Sequence, residues 1–404
     1  MDRRSWLRRL VAVGGTGALA ACLDDPSADP IPTGSPGRRP ERQHAWNGRL
    51  RRDEDGNVLL PRHHVFLSVA YESETPEADR DVLEEALTDL ERAYEASHRG
   101  LLCTVGYSPA YFDRFDERVE TVDLPPPGPI VPGENVATDD ADLFVHLASD
   151  RAVAVLGAEE ALFGTGTANG RAVTRIDGLF SVQERRTGFI GAGLPKARND
   201  RLRGMPEDVL HERAPSFMNF RSGFRGSQAS ETRVTIRDGR FAGGTTQHVS
   251  TIALQLGNWF ERSHEEQVAR LFSPAVDPDA VGPAGLAVGD SSPVDDATVE
   301  ALQDGAANTE VVGHAQKLAP FREDGTPPIL RRDVDSIDGG EAGVVFVSLQ
   351  RAIETFERLR RAMEGQMLED EAIGERTDNG ILEYLTVRRR GNFLLPPREN
   401  RSLP

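Results

Sequence analysis

Lysine is almost missing from this chain: Lys196 and Lys317 are the only two in 404 residues, so nearly all positive charge is arginine. Against 47 Lys and Arg stand 65 Asp and Glu, a formal net charge of -18. That balance excludes a basic face for nucleic acid, which needs clustered cations. A GC-rich genome explains arginine in place of lysine but not the excess of acid. The two together read as adaptation to high salt, where self-repulsion is screened. Cysteine is equally scarce, with only Cys22 and Cys103. A cysteine-based zinc site is thereby excluded, and with Cys22 lipidated no intrachain disulfide remains. The apolar run Leu10 to Ala21 is too short to span a membrane. No H-E-x-x-H pair and no P-loop occurs.

What is present begins at the N-terminus. Arg3-Arg4-Ser5-Trp6-Leu7 resembles the twin-arginine export pattern, and Leu19-Ala20-Ala21-Cys22 resembles a lipobox with Cys22 as the lipidated residue. Residues 1–22 are thus expected to be a signal, and the mature chain an exported protein, lipid-anchored on the outer face of the cell membrane. Residues 23–60 are rich in Asp, Pro, Ser, Gly and Arg, and are expected to be a disordered tether. Cys103 lies inside the apolar run Leu101 to Val105 and is expected to be a buried structural thiol.

Beyond the tether the pattern alternates. Val65–Tyr71, Leu101–Val105, Leu143–Leu147 and Leu179–Gln183 read as strands. Helices are expected from Asp81, with Leu83, Leu87, Leu90 and Tyr94 on one stripe, and over Ala152–Leu162. The second half repeats this order: strand Thr246–Leu256, helix Trp259–Phe272, strand Val344–Val347, a helix carrying Ile353, Phe356 and Met363, and strand Ile381–Val387. The fold class is therefore α+β, a duplicated split β-α-β: two ferredoxin-like halves over residues 61–205 and 206–404. A Pro-rich loop at Leu124–Pro129 and an acidic insertion near 275–311 occupy equivalent places in the two halves.

Several segments in shared order resemble the dye-decolourising (DyP-type) haem peroxidases, deferrochelatase-like members included. They are Gly106–Arg114, Asp142–Asp150, Gly223-Phe224-Arg225-Gly226-Ser227, Phe241–Thr245, His314, Ile329-Leu330-Arg331-Arg332, Val344–Gln350 and Gly391–Pro397. The resemblance covers about residues 60 to 397. It implies a DyP-like α+β barrel binding haem b in the C-terminal half, with peroxide and a small organic electron donor as partners. His314 would be the proximal iron ligand, its other ring nitrogen held by a carbonyl or carboxylate. Arg331 would be the distal cation, and Phe224 and Arg332 would contact the cofactor. Arg332 points to the other face if the run is a strand, toward an acid or a haem propionate. The distal aspartate of the family is replaced by Gly226, followed by Ser227. Ser227 and Gln228 hydrogen-bond but are poor bases, and Glu231 is the nearest acid in sequence.

Three readings follow: a peroxidase, a non-enzymatic haem-binding or iron-handling surface lipoprotein, and a member of the fold without cofactor. The oligomeric state stays open. Of the remaining histidines, His63 and His64 are expected at the surface, His146 on a strand facing solvent or a cleft, and His248 is a candidate for the pocket wall.

Overall fold

The computed structural model describes residues 29–404 apart from 116–118, 120, 203–204, 207, 295–310 and 366–377. The arginine pair at 3–4, Cys22 and part of the acidic insertion lie outside the described residues.

Each half contributes four antiparallel strands. The first supplies β1 (His63–Tyr71), β2 (Leu102–Tyr107), β3 (Leu143–Ser149) and β4 (Phe180–Phe189). The second supplies β5 (Thr245–Leu254), the aligned pieces β6 (Leu330–Arg331) and β7 (Val334–Ser336), β8 (Gly343–Gln350) and β9 (Leu385–Leu395). Their spatial orders are β4-β1-β3-β2 and β7-β8-β5-β9. In both quartets the fourth strand lies beside the first, then the third, then the second, which is the split β-α-β arrangement. The quartets join at two thin seams, Asp335 opposite Phe189 and Leu394 opposite Tyr107. With β9 also pairing β5, the strands close into a barrel.

Side chains alternate accordingly. Phe66, Phe144, Val249, Val347, Leu349 and Phe393 form one cluster between the two quartets. Val65, Leu67 and Val69 turn the other way, onto helix α1 (Pro76–Ala93) through its buried Leu83, Leu87 and Leu90. Proline at the helix start and Glu77 and Asp79 in the first turn suit the positive end of the helix dipole. Helix α2 (Ala152–Glu160) completes that layer. The second half has its own core, around Phe217, Trp259, Val268, Phe272 and Tyr384.

Some boundaries differ from expectation. The helix expected over 259–272 is broken, and α3 (His264–Leu271) starts afresh because Ser263 and Glu266 form a reciprocal capping box. Strand β9 starts at Leu385, after a turn of 3₁₀ helix at Leu382–Tyr384. His63 and His64 are buried, not surface residues. His64 Nδ1 lies 2.8 Å from His146 Nε2, and the His146 ring stacks on Phe66 inside the barrel.

The expected tether is the largest correction. Residues from about 30 onward run as a strap over both halves. Trp46 and His44 are buried, and Arg51–Arg52 pairs with Val58–Leu59. Composition hid this because the anchors are polar. Gln43 bonds the main chain of Val105 and Pro396. Buried Asn57 donates to Gly289 O (3.0 Å) and accepts from Arg225 N (2.8 Å), which ties the strap to the loop at 224–228. The Pro-rich loop also crosses between halves. Asp123 Oδ2 accepts from Glu354 N (2.7 Å) and so caps helix α5 (Ile353–Met363).

Two predictions follow from this packing. Asn57→Ala leaves Arg225 N and Gly289 O without their partner. It should lower stability by about 1–3 kcal/mol, read as a lower denaturant midpoint. The second concerns acid. Burial lowers His44 and His63 to about 3 and His64 to about 4, His248 likewise to about 3, and holds His146 well below its ordinary value. Unfolded, each takes a proton near pH 6.5. The unfolded chain therefore binds more protons between about pH 6.5 and 4, and stability falls as pH falls through that window. Asp139, Asp142, Asp335 and Asp338 are raised by burial and act in the opposite sense. Histidine dominates if the urea midpoint drops from pH 7 to pH 5, and His64→Gln/His146→Gln should make that drop shallower.

Candidate functional site

The second-half sheet and its helices enclose a cavity of about 2010 Å³. That exceeds the roughly 300–1,000 Å³ of ordinary small-molecule pockets. Ile252, Val344, Phe346 and Arg331 line its sheet wall, and His314, Phe356, Leu359 and Met363 its helix wall. The strap closes one side through Arg51, Val58 and Leu60.

His314 is the first residue of α4 (His314–Leu318). Gly313 precedes it because a β-carbon there would collide with the Phe272 carbonyl, and this close approach seats the helix start at the cavity. His314 keeps partial exposure where it lines the cavity, while its Nδ1 is buried without a hydrogen-bond partner. The expected carbonyl or carboxylate on that nitrogen is not among the described residues. Burial first, then the cations Lys317, Arg331 and Arg360, lower the ring to about 3, so it is neutral at any ordinary pH. Lys317 sits one turn on and anchors the helix. Its Nζ donates to Met363 O (2.6 Å) and to Asn379 Oδ1, and burial holds it to about 7.

Arg331 and Arg332 part company across the sheet. Arg331 sits opposite Ser348 on β8, with its side chain on the cavity face and in no ion pair with any described residue. Gln228 grips its main chain from both sides, accepting from Arg331 N (2.9 Å) and donating to Arg331 O (3.0 Å). Arg332 is buried behind the sheet, donating to Glu231 (2.9 Å) and His44 O (2.6 Å), its guanidinium 4.4 Å above Trp46. Its guanidinium is thus already paired on the far side of the sheet, where the expectation had it contacting the cofactor. Glu231 is committed to the same pair and to the amides of Trp46 and Asn47, so it cannot swing in as a base.

Phe224 is buried against the cavity, and Ser227 lines it, with its Oγ accepting from Ser292 N (3.2 Å). Gly226 faces elsewhere. Its amide donates to Asp290 O (2.7 Å), and a β-carbon would meet Ser291 Oγ at 2.6 Å. A side chain at 226 would point into the 290–291 segment, not into the cavity. His248 is likewise spent, lying 2.7 Å from both Asn392 Oδ1 and Ser250 Oγ and stacking on Phe356 at 3.8 Å.

Two features escaped the sequence reading. Glu134, beyond the Pro-rich loop, pairs with Arg390 (2.7 Å) and Arg360 (3.0 Å), and all three line the cavity. Asp333 and Asp335 line the cavity on the Arg331 face, and the alternation Arg331-x-Asp333-x-Asp335 is the signal that could have shown it. Among the described residues no group of three His, Cys, Asp or Glu side chains could hold a metal, and no helix is long and apolar enough to cross a membrane.

No curated protein matches the sequence. Among solved structures, the encapsulated DyP-type peroxidase from Mycobacterium smegmatis is 18% identical, with 86% of this chain and 96% of that one covered at a TM-score of 0.55. A variant of DypB from Rhodococcus jostii in complex with heme is 17% identical, covering 89% and 97% at 0.57. The dye-decolorizing peroxidase from Bacteroides thetaiotaomicron is 14% identical, covering 88% and 99% at 0.56. At these identities the likeness is one of fold. The sequence itself matches a family of unknown function, DUF7405, over residues 61–397, and the chain is a member of that family built on the fold of the DyP-type peroxidases.

Proposed function

We propose that the cavity binds haem b with His314 as axial ligand, and that the protein is a peroxidase-type oxidoreductase acting on peroxide and a small organic donor. The observation that carries this is the neutral His314 on the helix wall of a cavity whose sheet wall bears Arg331, in no ion pair with any described residue. A bare ion finds no cage among the described residues. A single imidazole suits a metal that brings its own equatorial ligands. Phe224, Phe346, Phe356 and Leu359 offer apolar walls, and Arg213, Arg322 and Arg388 line the cavity without ion pairs to described residues, available to propionates.

When bound, haem supplies the iron at which peroxide is reduced and stores the oxidising equivalents for the donor. The chain's own residues do the rest. Arg331 would offer its guanidinium to the negative charge that develops as peroxide is cleaved, and the strap closes one side of the site. Gln228 fixes where that guanidinium starts. The DyP-type fold supports this reading over a generic haem pocket. One observation favours the second reading, haem or iron handling without turnover: among the described residues His314 Nδ1 has no acceptor of the kind that makes an iron-binding histidine a stronger donor. The twin-arginine and lipobox patterns further suggest an exported, membrane-anchored form.

A visible spectrum of the purified protein at high salt tests the haem claim. A Soret band is expected that His314→Ala abolishes or shifts; a protein that shows none after incubation with haem refutes it. Arg331→Leu should keep the band but slow the peroxide-driven spectral change by about 10²–10³. No such change in the parent would leave the non-enzymatic reading.

A further inference from the structure

We propose that Asp333 is the proton-carrying carboxylate of this site, in place of the acid missing at Gly226; the proposal rests on the haem peroxidase reading. One register runs through the strand. Arg331 faces Ser348, Arg332 N donates to Val347 O, and Val334 faces Val345. Leu330, Arg332 and Val334 therefore share the face turned to the barrel interior, as the Arg332–Glu231 pair and the interior packing of Leu330 and Val334 attest. Arg331, Asp333 and Asp335 share the cavity face, with Asp333 about 6.6 Å along the strand from Arg331.

Among the described acids on the cavity face of this strand, Asp333 is the uncommitted one, whereas Glu54 and Asp55 lie on the strap and not beside Arg331. Asp335 is fully buried and accepts from Phe217 N (3.2 Å), Glu134 is spent on Arg390 and Arg360, and Asp53 is spent on Arg221 and Asn57. Asp333 is half-buried, lines the cavity and bonds to no described residue. It combines access with proximity to the cation that steadies the leaving oxygen. A carboxylate there takes one proton from hydrogen peroxide and returns it to the oxygen that departs as water, ending unchanged. Over the full cycle peroxide takes two electrons from the organic donor and two protons, giving two waters.

The test compares the haem-loaded parent with Asp333→Asn, Asp333→Glu and Gly226→Asp. Asp333→Asn should keep the parent's Soret band yet slow the peroxide-driven spectral change by about 10²–10⁴. It should also slow cyanide binding to the ferric protein, because hydrogen cyanide must give up a proton to a nearby base as it binds. Asp333→Glu should restore part of both rates. Gly226→Asp in the Asp333→Asn background should restore neither, since position 226 faces the 290–291 segment. Parent-like peroxide and cyanide rates in Asp333→Asn, with the Soret band intact, overturn the proposal and leave the haem reading standing. A parent without a Soret band overturns both.

Discussion

The antiparallel register of residues 330–336 on β8 is the constraint on which the site depends. Because side chains alternate, one register decides at once which arginine meets the cavity and which is buried behind it. A slip by one residue would put Arg332 in the cavity and bury Arg331 where Glu231, His44 and Trp46 now wait. The cost of that slip falls on the neighbours: Leu330 and Val334 would leave the barrel interior, and Asp333 and Asp335 would be turned into it. Arg332 fills the interior position with a partner, Glu231, and Gln228 on the Arg331 main chain secures the same register from the cavity face.

What brings these parts together is contact between segments far apart in the chain. The strap at 43–60 reaches Val105, Gly289 and Arg225, and Asp123 caps a helix of the other half. Glu134 bridges to Arg360 and Arg390. These are side chain to main chain bonds and buried ion pairs made by Asn, Gln, Asp and Glu. Apolar periodicity reports burial of carbon, so it marked β1, β3, α1 and the doubled plan, each of which buries an apolar face. It has no means of reporting a segment ordered by polar anchors. Residues 30–60 therefore read as a tether although Trp46 and His44 are among the most buried residues, and His63 and His64 read as surface because a buried histidine pair bonded to one another looks polar in one dimension.

The same limit shaped the reading of the site. His314 and the Arg331-Arg332 step were picked out by resemblance to a family's motifs, and strand alternation added that the two arginines face opposite ways. The place of the acid was not legible. Reading motifs in order placed the vacancy at Gly226, but the direction of that residue is set by the Asp290–Ser291 segment, more than sixty positions away. Strand alternation, a purely local rule, instead puts Asp333 on the wall beside Arg331. A chain can change which element supplies an acid without changing the cavity that needs one, provided the new carboxylate falls on the right face of a rigid strand.

Burial acts first on His314, and the groups that act next, Lys317, Arg331 and Arg360, all lower it further, in a protein whose overall charge is -18. At His314 the local field thus opposes the charge of the whole molecule. Burial and that field together keep the imidazole neutral with its lone pair available, and on the proposed reading they suit an anionic guest such as a porphyrin bearing propionates. That field also withholds the negative neighbour that would make the imidazole a stronger donor. On the proposed reading, turnover of peroxide therefore depends on the sheet wall, where Arg331 and Asp333 share one face, more than on His314.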